Sequence, residues 1–127
     1  MLDTIGRVRN LTVSYQHLFL GYEIHDTQTH ESGVGEWPHL QAITIYIENG
    51  HDQDLTITIR GNKEKTTMGS VELVSAFTVS AGTAVSYTLT PETTGWLPYI
   101  YVTAKAATAP TTGEINVTII TIEEGTA

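Results

Sequence analysis

Histidine is the residue type in this chain best able to do chemistry, and all five copies fall in the first half, at positions 17, 25, 30, 39 and 51. His25 and His30 flank a polar loop that also holds Asp26 and Glu31, side chains able to ligate zinc or another transition metal. Structural zinc sites are usually marked by compact pairs of ligands, and this spacing matches none of them. The sequence therefore predicts a solvated loop without a bound metal.

Other chemical signatures are weaker. The turn over residues 49–54 (NGHDQD) has acidic residues but lacks the ligand pattern of a twelve-residue calcium loop and its closing glutamate. The chain has no cysteine, so thiol catalysis and Cys-ligated metals are excluded. It contains no Gly-x-Ser-x-Gly elbow, phosphate loop or dinucleotide fingerprint. We predict a protein that is not an enzyme and that has no catalytic residues and no cofactor.

Aromatic side chains offer an alternative binding function. Trp37, Trp96 and Tyr99 form a candidate platform for stacking on sugar rings, as in carbohydrate-binding modules built on β-sandwiches. Trp96, however, starts a segment whose residues on the same side are apolar. That pattern favours core packing or a subunit contact for Trp96.

Charge limits the partners. The net charge is -8, from 14 acidic and 6 basic residues. Nucleic-acid binding needs a basic stripe, and an anionic membrane would repel this chain, so we expect neither partner. No apolar run approaches the roughly 20 residues that cross a bilayer. The first six residues also lack the basic start and apolar core of a signal peptide.

The elements that must position these residues are strands. Isoleucine and valine alternate with threonine through much of the chain, and period-two alternation of this kind indicates half-buried strands. Residues 40–48 and 55–59 are predicted to pair as one antiparallel hairpin. Residues 96–105 and 115–122 are predicted to form another, around the turn at 109–113.

Seven to nine short strands without any helical period predict an all-β fold. The predicted architecture is a single antiparallel β-sandwich, with the jelly roll favoured and an immunoglobulin-like sandwich as the alternative. Residues 15–122 are assigned to the sandwich, 1–14 to an N-terminal arm or first strand, and 123–127 to a frayed tail.

Residues 96–105 carry large side chains on both sides. Trp96 and Ile100 point one way, whereas Leu97, Tyr99 and Tyr101 point the other way. One apolar face is enough for a sandwich core, so the second predicts a homo-oligomer. Arg7 and Arg9 in the arm are predicted to pair with carboxylates of the partner.

Residues 95–100 (GWLPYI) and 109–113 (APTTG), followed by an aliphatic closing strand, resemble small β-sandwich proteins of tailed-phage virions. Residues 78–83 and 87–91 fit the same resemblance, which begins near position 43. It implies a capsid decoration (cement) protein, or another virion component such as a fibre or tail piece. Such proteins are made in the host cytoplasm and bind the major capsid protein on the outer capsid surface as homo-oligomers, often trimers.

Overall fold

The computed structural model describes residues 9–37 and 42–126 of the chain. Within these ranges there are nine strands and no helix, and hence no helix that could cross a membrane. The strands are β1 (Arg9–Tyr22), β2 (His30–Glu31), β3 (Gly35–Glu36), β4 (Ile43–Asn49), β5 (Leu55–Asn62), β6 (Val71–Val79), β7 (Thr83–Leu89), β8 (Tyr99–Ala106) and β9 (Ile115–Thr126).

The strands form two antiparallel sheets. The first has the order β1-β9-β4-β7 and the second the order β2-β8-β5-β6, with β3 also paired to β8. Strand pairs are therefore nested along the chain: β1 with β9 outermost, then β2 and β3 with β8, then β4 with β7, and β5 with β6 innermost. This nesting is the strand order of a jelly roll, and the predicted antiparallel β-sandwich is confirmed.

The core lies between the sheets, and isoleucine is its most frequent residue. Alternate positions of β4, β5, β8 and β9 are buried, and they include Ile45, Ile57, Ile100 and Ile119. A β-branched side chain packs well on a pleated surface, and alternation sends every second one to the same side. The aliphatic alternation in the sequence therefore located the core correctly.

Both predicted hairpins are wrong. β4 lies in the first sheet and β5 in the second, and β8 and β9 are divided in the same way. Alternation shows which side of a strand is buried but does not specify its hydrogen-bonded neighbour. β4 and β5, like β8 and β9, turn their aliphatic sides to the core from opposite sheets, so the same pattern arises without a hairpin.

Two of the connections that cross between the sheets, the β4–β5 loop and the β8–β9 loop, meet at one end of the sandwich. The backbone N–H of Gly50 donates to the carbonyl oxygen of Glu114 at 2.8 Å. Gly113 has φ of 90°, and a Cβ at this position would overlap the carbonyl group of Gly50. Asp52 accepts hydrogen bonds from the hydroxyl and the N–H of Thr111, and these bonds lower the pKa of Asp52. The two crossing loops are thus fixed to each other.

Several predicted boundaries differ from the observed ones. β1 continues across the predicted arm boundary at residue 14, and its register with β9 shifts between His17 and Phe19 and again between Phe19 and Tyr22. β9 extends through Thr126, into the predicted frayed tail. β8 starts at Tyr99, because residues 91–96 form a turn that Trp96 ends with φ of 62°. Residues 71–74 belong to β6.

Candidate functional site

An apolar patch lies on the outer surface of the first sheet. Val13 is paired across strands with Ile122, and Tyr15 with Ile120, so all four side chains share one side of the sheet. Tyr46 lies on the same side, because it is the cross-strand neighbour of Thr118. We call these five residues the apolar face. Val13, Tyr15 and Ile122 are 42%, 61% and 56% exposed.

The apolar face arises because the end of β9 carries aliphatic residues on both sides. Ile119 is buried in the core, whereas Ile120 and Ile122 point outward. Farther along the same outer surface the residues are small or polar, including Asn116, Glu48 and Ser86. A contiguous exposed apolar patch with polar surroundings is typical of a protein contact surface.

A polar groove of about 370 Å³ lies on the outer surface of the second sheet. We define the polar groove by six side chains that four adjacent strands contribute. Two rows cross the sheet, and the register of the strands places Thr103 beside both Glu31 and Thr58, and Arg60 beside both Tyr101 and Glu72. The groove is therefore lined by two carboxylates, one guanidinium group and several hydroxyl groups: Glu31, Thr58, Arg60, Glu72, Tyr101 and Thr103.

The guanidinium group of Arg60 is held in a fixed orientation. Its Nε donates to the Ser70 hydroxyl at 2.9 Å, and its Nη2 donates to the Ser70 carbonyl oxygen at 3.0 Å. The same hydroxyl lies 2.7 Å from the Tyr101 hydroxyl, and Tyr101 is only 2% exposed. Within residues 9–37 and 42–126, neither Glu31 nor Glu72 takes part in an ion pair.

The polar loop between His25 and His30 is connected to β1 by successive hydrogen bonds. His30 lies with Nε2 2.7 Å from the Asp26 carboxylate and with Nδ1 2.7 Å from the Tyr22 hydroxyl. Because a carboxylate only accepts, Nε2 carries the hydrogen. This bond lowers the pKa of Asp26. Nε2 of His25 lies 3.7 Å from the carboxylate Oε1 of Glu23.

A metal site would require more ligands than these contacts bring together. In the part of the chain that the structure describes, no group of three or more His, Cys, Asp or Glu side chains is placed to hold a metal ion. His39 lies outside the described residues. The side-chain contacts of the loop connect it to β1.

His51 is a buried histidine that the sequence did not indicate, because a turn rich in Asn, Gly and Asp predicts exposure. The N–H of Ile24 donates to Nε2 of His51 at 3.0 Å, so the hydrogen of the neutral ring is on Nδ1. This Nδ1 has no hydrogen-bond partner among the described residues. Loss of hydration lowers the pKa of His51, and the neutral ring is part of the core.

The predicted contact residues occupy different environments. Trp96 is 57% exposed, Leu97 and Tyr99 are half-buried, and Tyr101 is buried within its own chain, with its hydroxyl beside that of Ser70. Arg7 lies outside the described residues. The backbone of Arg9 pairs with that of Thr126 at the start of β1.

The predicted sugar platform is incomplete on the surface. Trp37 belongs to the core and is 4% exposed, so its ring offers no face to a ligand, although Trp96 and Tyr99 retain some exposure. The backbone N–H of Trp37 donates to the Pro98 carbonyl oxygen at 2.8 Å, and this bond fixes the backbone of Trp37 beside Pro98. Neither the apolar face nor the polar groove was predicted from the sequence.

Comparisons with known proteins assign the chain to no family. No protein-family model matches it, and no curated protein matches it by sequence. A chain in the structure of infectious bursal disease virus, Gx strain, is similar with a TM-score of 0.47 and 8% sequence identity. The similarity covers 92% of this chain and 32% of that chain, so this chain spans about a third of its length.

Proposed function

We propose that this protein is a structural component of a virion, a capsid decoration protein that assembles on the outer capsid surface as a homo-oligomer. The observation that carries the proposal is the apolar face on the first sheet. Apolar surface removed from water contributes roughly 25 cal/mol per Å², so covering Tyr15 and Ile122 with a partner is favourable. The sequence resemblance to tailed-phage virion proteins supports the choice of partner, the major capsid protein.

The position of the apolar face suits assembly. It lies mainly on β1 and β9, and β1 is an edge strand of the first sheet. An edge strand has unpaired backbone groups on one side, which allow a second chain to add main-chain hydrogen bonds to the apolar contact. Copies that each carry a net charge of -8 repel one another at long range. Short-range apolar contact provides the attraction that association needs.

The experiment is a mass measurement by sedimentation, first on the protein alone and then with empty tailed-phage capsids. We expect an oligomer at micromolar concentration, in solution or on the capsid, and co-sedimentation with the capsids at a fixed ratio to the major capsid protein. A monomer in both conditions, with no co-sedimentation, would contradict the proposal.

A further inference from the structure

We propose that the polar groove binds a neutral saccharide. The groove lies on the outer surface of the second sheet, and the apolar face lies on the outer surface of the first. A ligand in the groove therefore leaves the apolar face uncovered, and a subunit on the apolar face leaves the groove open. This binding activity is separate from the proposed structural role.

The charges of the groove select the chemical class of the ligand. Glu31 on β2 and Glu72 on β6 place hydrogen-bond acceptors on either side of Arg60, which is on β5 and only donates. An anion such as phosphate would be repelled by the two carboxylates. A simple cation would be repelled by the guanidinium group between them.

A sugar satisfies both kinds of group. Each sugar hydroxyl can donate to a carboxylate and accept from a guanidinium N–H, and the hydroxyl groups of Thr58 and Thr103 can do either. The groove volume of about 370 Å³ lies near the lower end of the range for small-ligand sites, roughly 300–1,000 Å³. A ligand of one or two sugar rings fits this mixed, polar surface best.

Arg60 is oriented before any ligand arrives. Its hydrogen bonds to Ser70, which in turn contacts Tyr101, limit the rotamers of a side chain that would otherwise be mobile. Prior ordering of this kind lowers the entropy cost of binding. The ring of Tyr101 is covered and cannot stack on the sugar. We therefore expect weak binding, with a Kd on the order of 1 mM.

The test is a titration of ¹⁵N-labelled protein followed by NMR. The probes are glucose, galactose, mannose and N-acetylglucosamine, each to about 50 mM, with inorganic phosphate and lysine methyl ester as the charged comparisons. We expect at least one sugar to produce saturable shifts at the amides of Thr58, Arg60 and Thr103. The two charged probes should leave these amides unchanged.

Matched variants link the shifts to the groove. Glu31→Gln combined with Glu72→Gln keeps the side-chain shapes but removes both charges, and should weaken sugar binding about 10-fold, since bonds to charged groups are the stronger ones. Glu48→Gln changes one exposed carboxylate on the first sheet and should leave binding unchanged.

Three titration results would overturn the inference. They are no saturable shift with any of the four sugars, groove shifts produced by phosphate or the lysine ester instead, and sugar shifts confined to the surroundings of Trp96. Equal weakening by Glu48→Gln would also do so. Each of these leaves the sedimentation result unaffected, so failure of sugar binding and failure of capsid assembly are distinguishable.

Discussion

The outer surfaces of the two sheets differ although their inner surfaces are alike. Both sheets contribute isoleucine to one core, and Ile45 and Ile57 are equally buried. Outside, the first sheet exposes Tyr15 and Ile122, whereas the second presents a polar groove around Arg60. The comparison shows that the inward positions determine the fold and that the outward positions leave each sheet free for a different kind of contact.

The largest expected effect comes from disturbing the contact between the β4–β5 loop and the β8–β9 loop. Gly113→Ala should lower the free energy of unfolding by about 2–5 kcal/mol, because the new Cβ adds left-handed strain and overlaps the Gly50 carbonyl. The control is Gly82→Ala, which has a similar φ of 71° but no atom within 4 Å. This control should lower the free energy of unfolding, measured with urea, by only about 1–2 kcal/mol. Equal losses would show that the contact between the loops contributes nothing.

The second effect separates the two outer surfaces. Ile122→Asp places a carboxylate in the apolar face and should weaken self-association at least ~100-fold, because burying an unpaired charge is costly. Thr78→Asp, an exposed site on the second sheet, is the matched control and should leave association unchanged. Sedimentation equilibrium of both variants measures the difference. Similar weakening in the two would mean that net charge, and not the apolar face, governs assembly.

The third effect belongs to the polar groove. Tyr101→Phe removes the hydroxyl that lies beside Ser70 and should lower the free energy of unfolding by about 1 kcal/mol. It should also weaken sugar binding, since Arg60 loses part of its support. Tyr99→Phe is a suitable comparison, because Tyr99 is half-buried on the same strand. If the two variants have equal stability and equal sugar affinity, the Tyr101 hydroxyl does not support Arg60 through Ser70.

The smallest expected effect is the pH dependence of stability that comes from His51, a buried residue. The folded state holds His51 with a lowered pKa, so the unfolded state binds more protons below pH 6.5, the ordinary value, and stability falls as the pH drops. Between pH 7.5 and 6.0 the loss is at most about 0.8 kcal/mol. His51→Gln should abolish this loss, whereas His25→Gln at an exposed site should retain it. Urea midpoints at the two pH values measure the effect, and pH dependence that persists in His51→Gln would assign it elsewhere.

The sequence predicted the class of fold because alternation is a local property. Isoleucine or valine at every second position of residues 43–47 and 115–119 shows a strand and its buried side without reference to any other segment. The partner strand is a non-local property, and two crossing strands carry the same alternation as a hairpin. This is why both hairpins were predicted wrongly while the sandwich was correct.

The apolar face and the polar groove differ in how clearly the sequence indicates them. Ile120 and Ile122 stood out in the sequence as aliphatic residues on the otherwise polar side of β9, and this signal could have indicated the apolar face. The polar groove had no such signal, because Glu31, Arg60, Glu72 and Thr103 belong to four separate strands. Only the register of the second sheet brings them together.

The nested order of strand pairs also has a consequence for how the chain folds. β5 and β6 are joined by the short loop at residues 63–70, whereas β1 and β9 close a loop that includes almost the whole domain. The entropy cost of closure rises with loop length, and non-local pairing slows folding. We therefore expect pairing to proceed from β5–β6 outward. The apolar face lies mainly on the last pair to close, so it is complete only in a fully folded monomer, and newly made chains would gain the ability to assemble only when folding has finished.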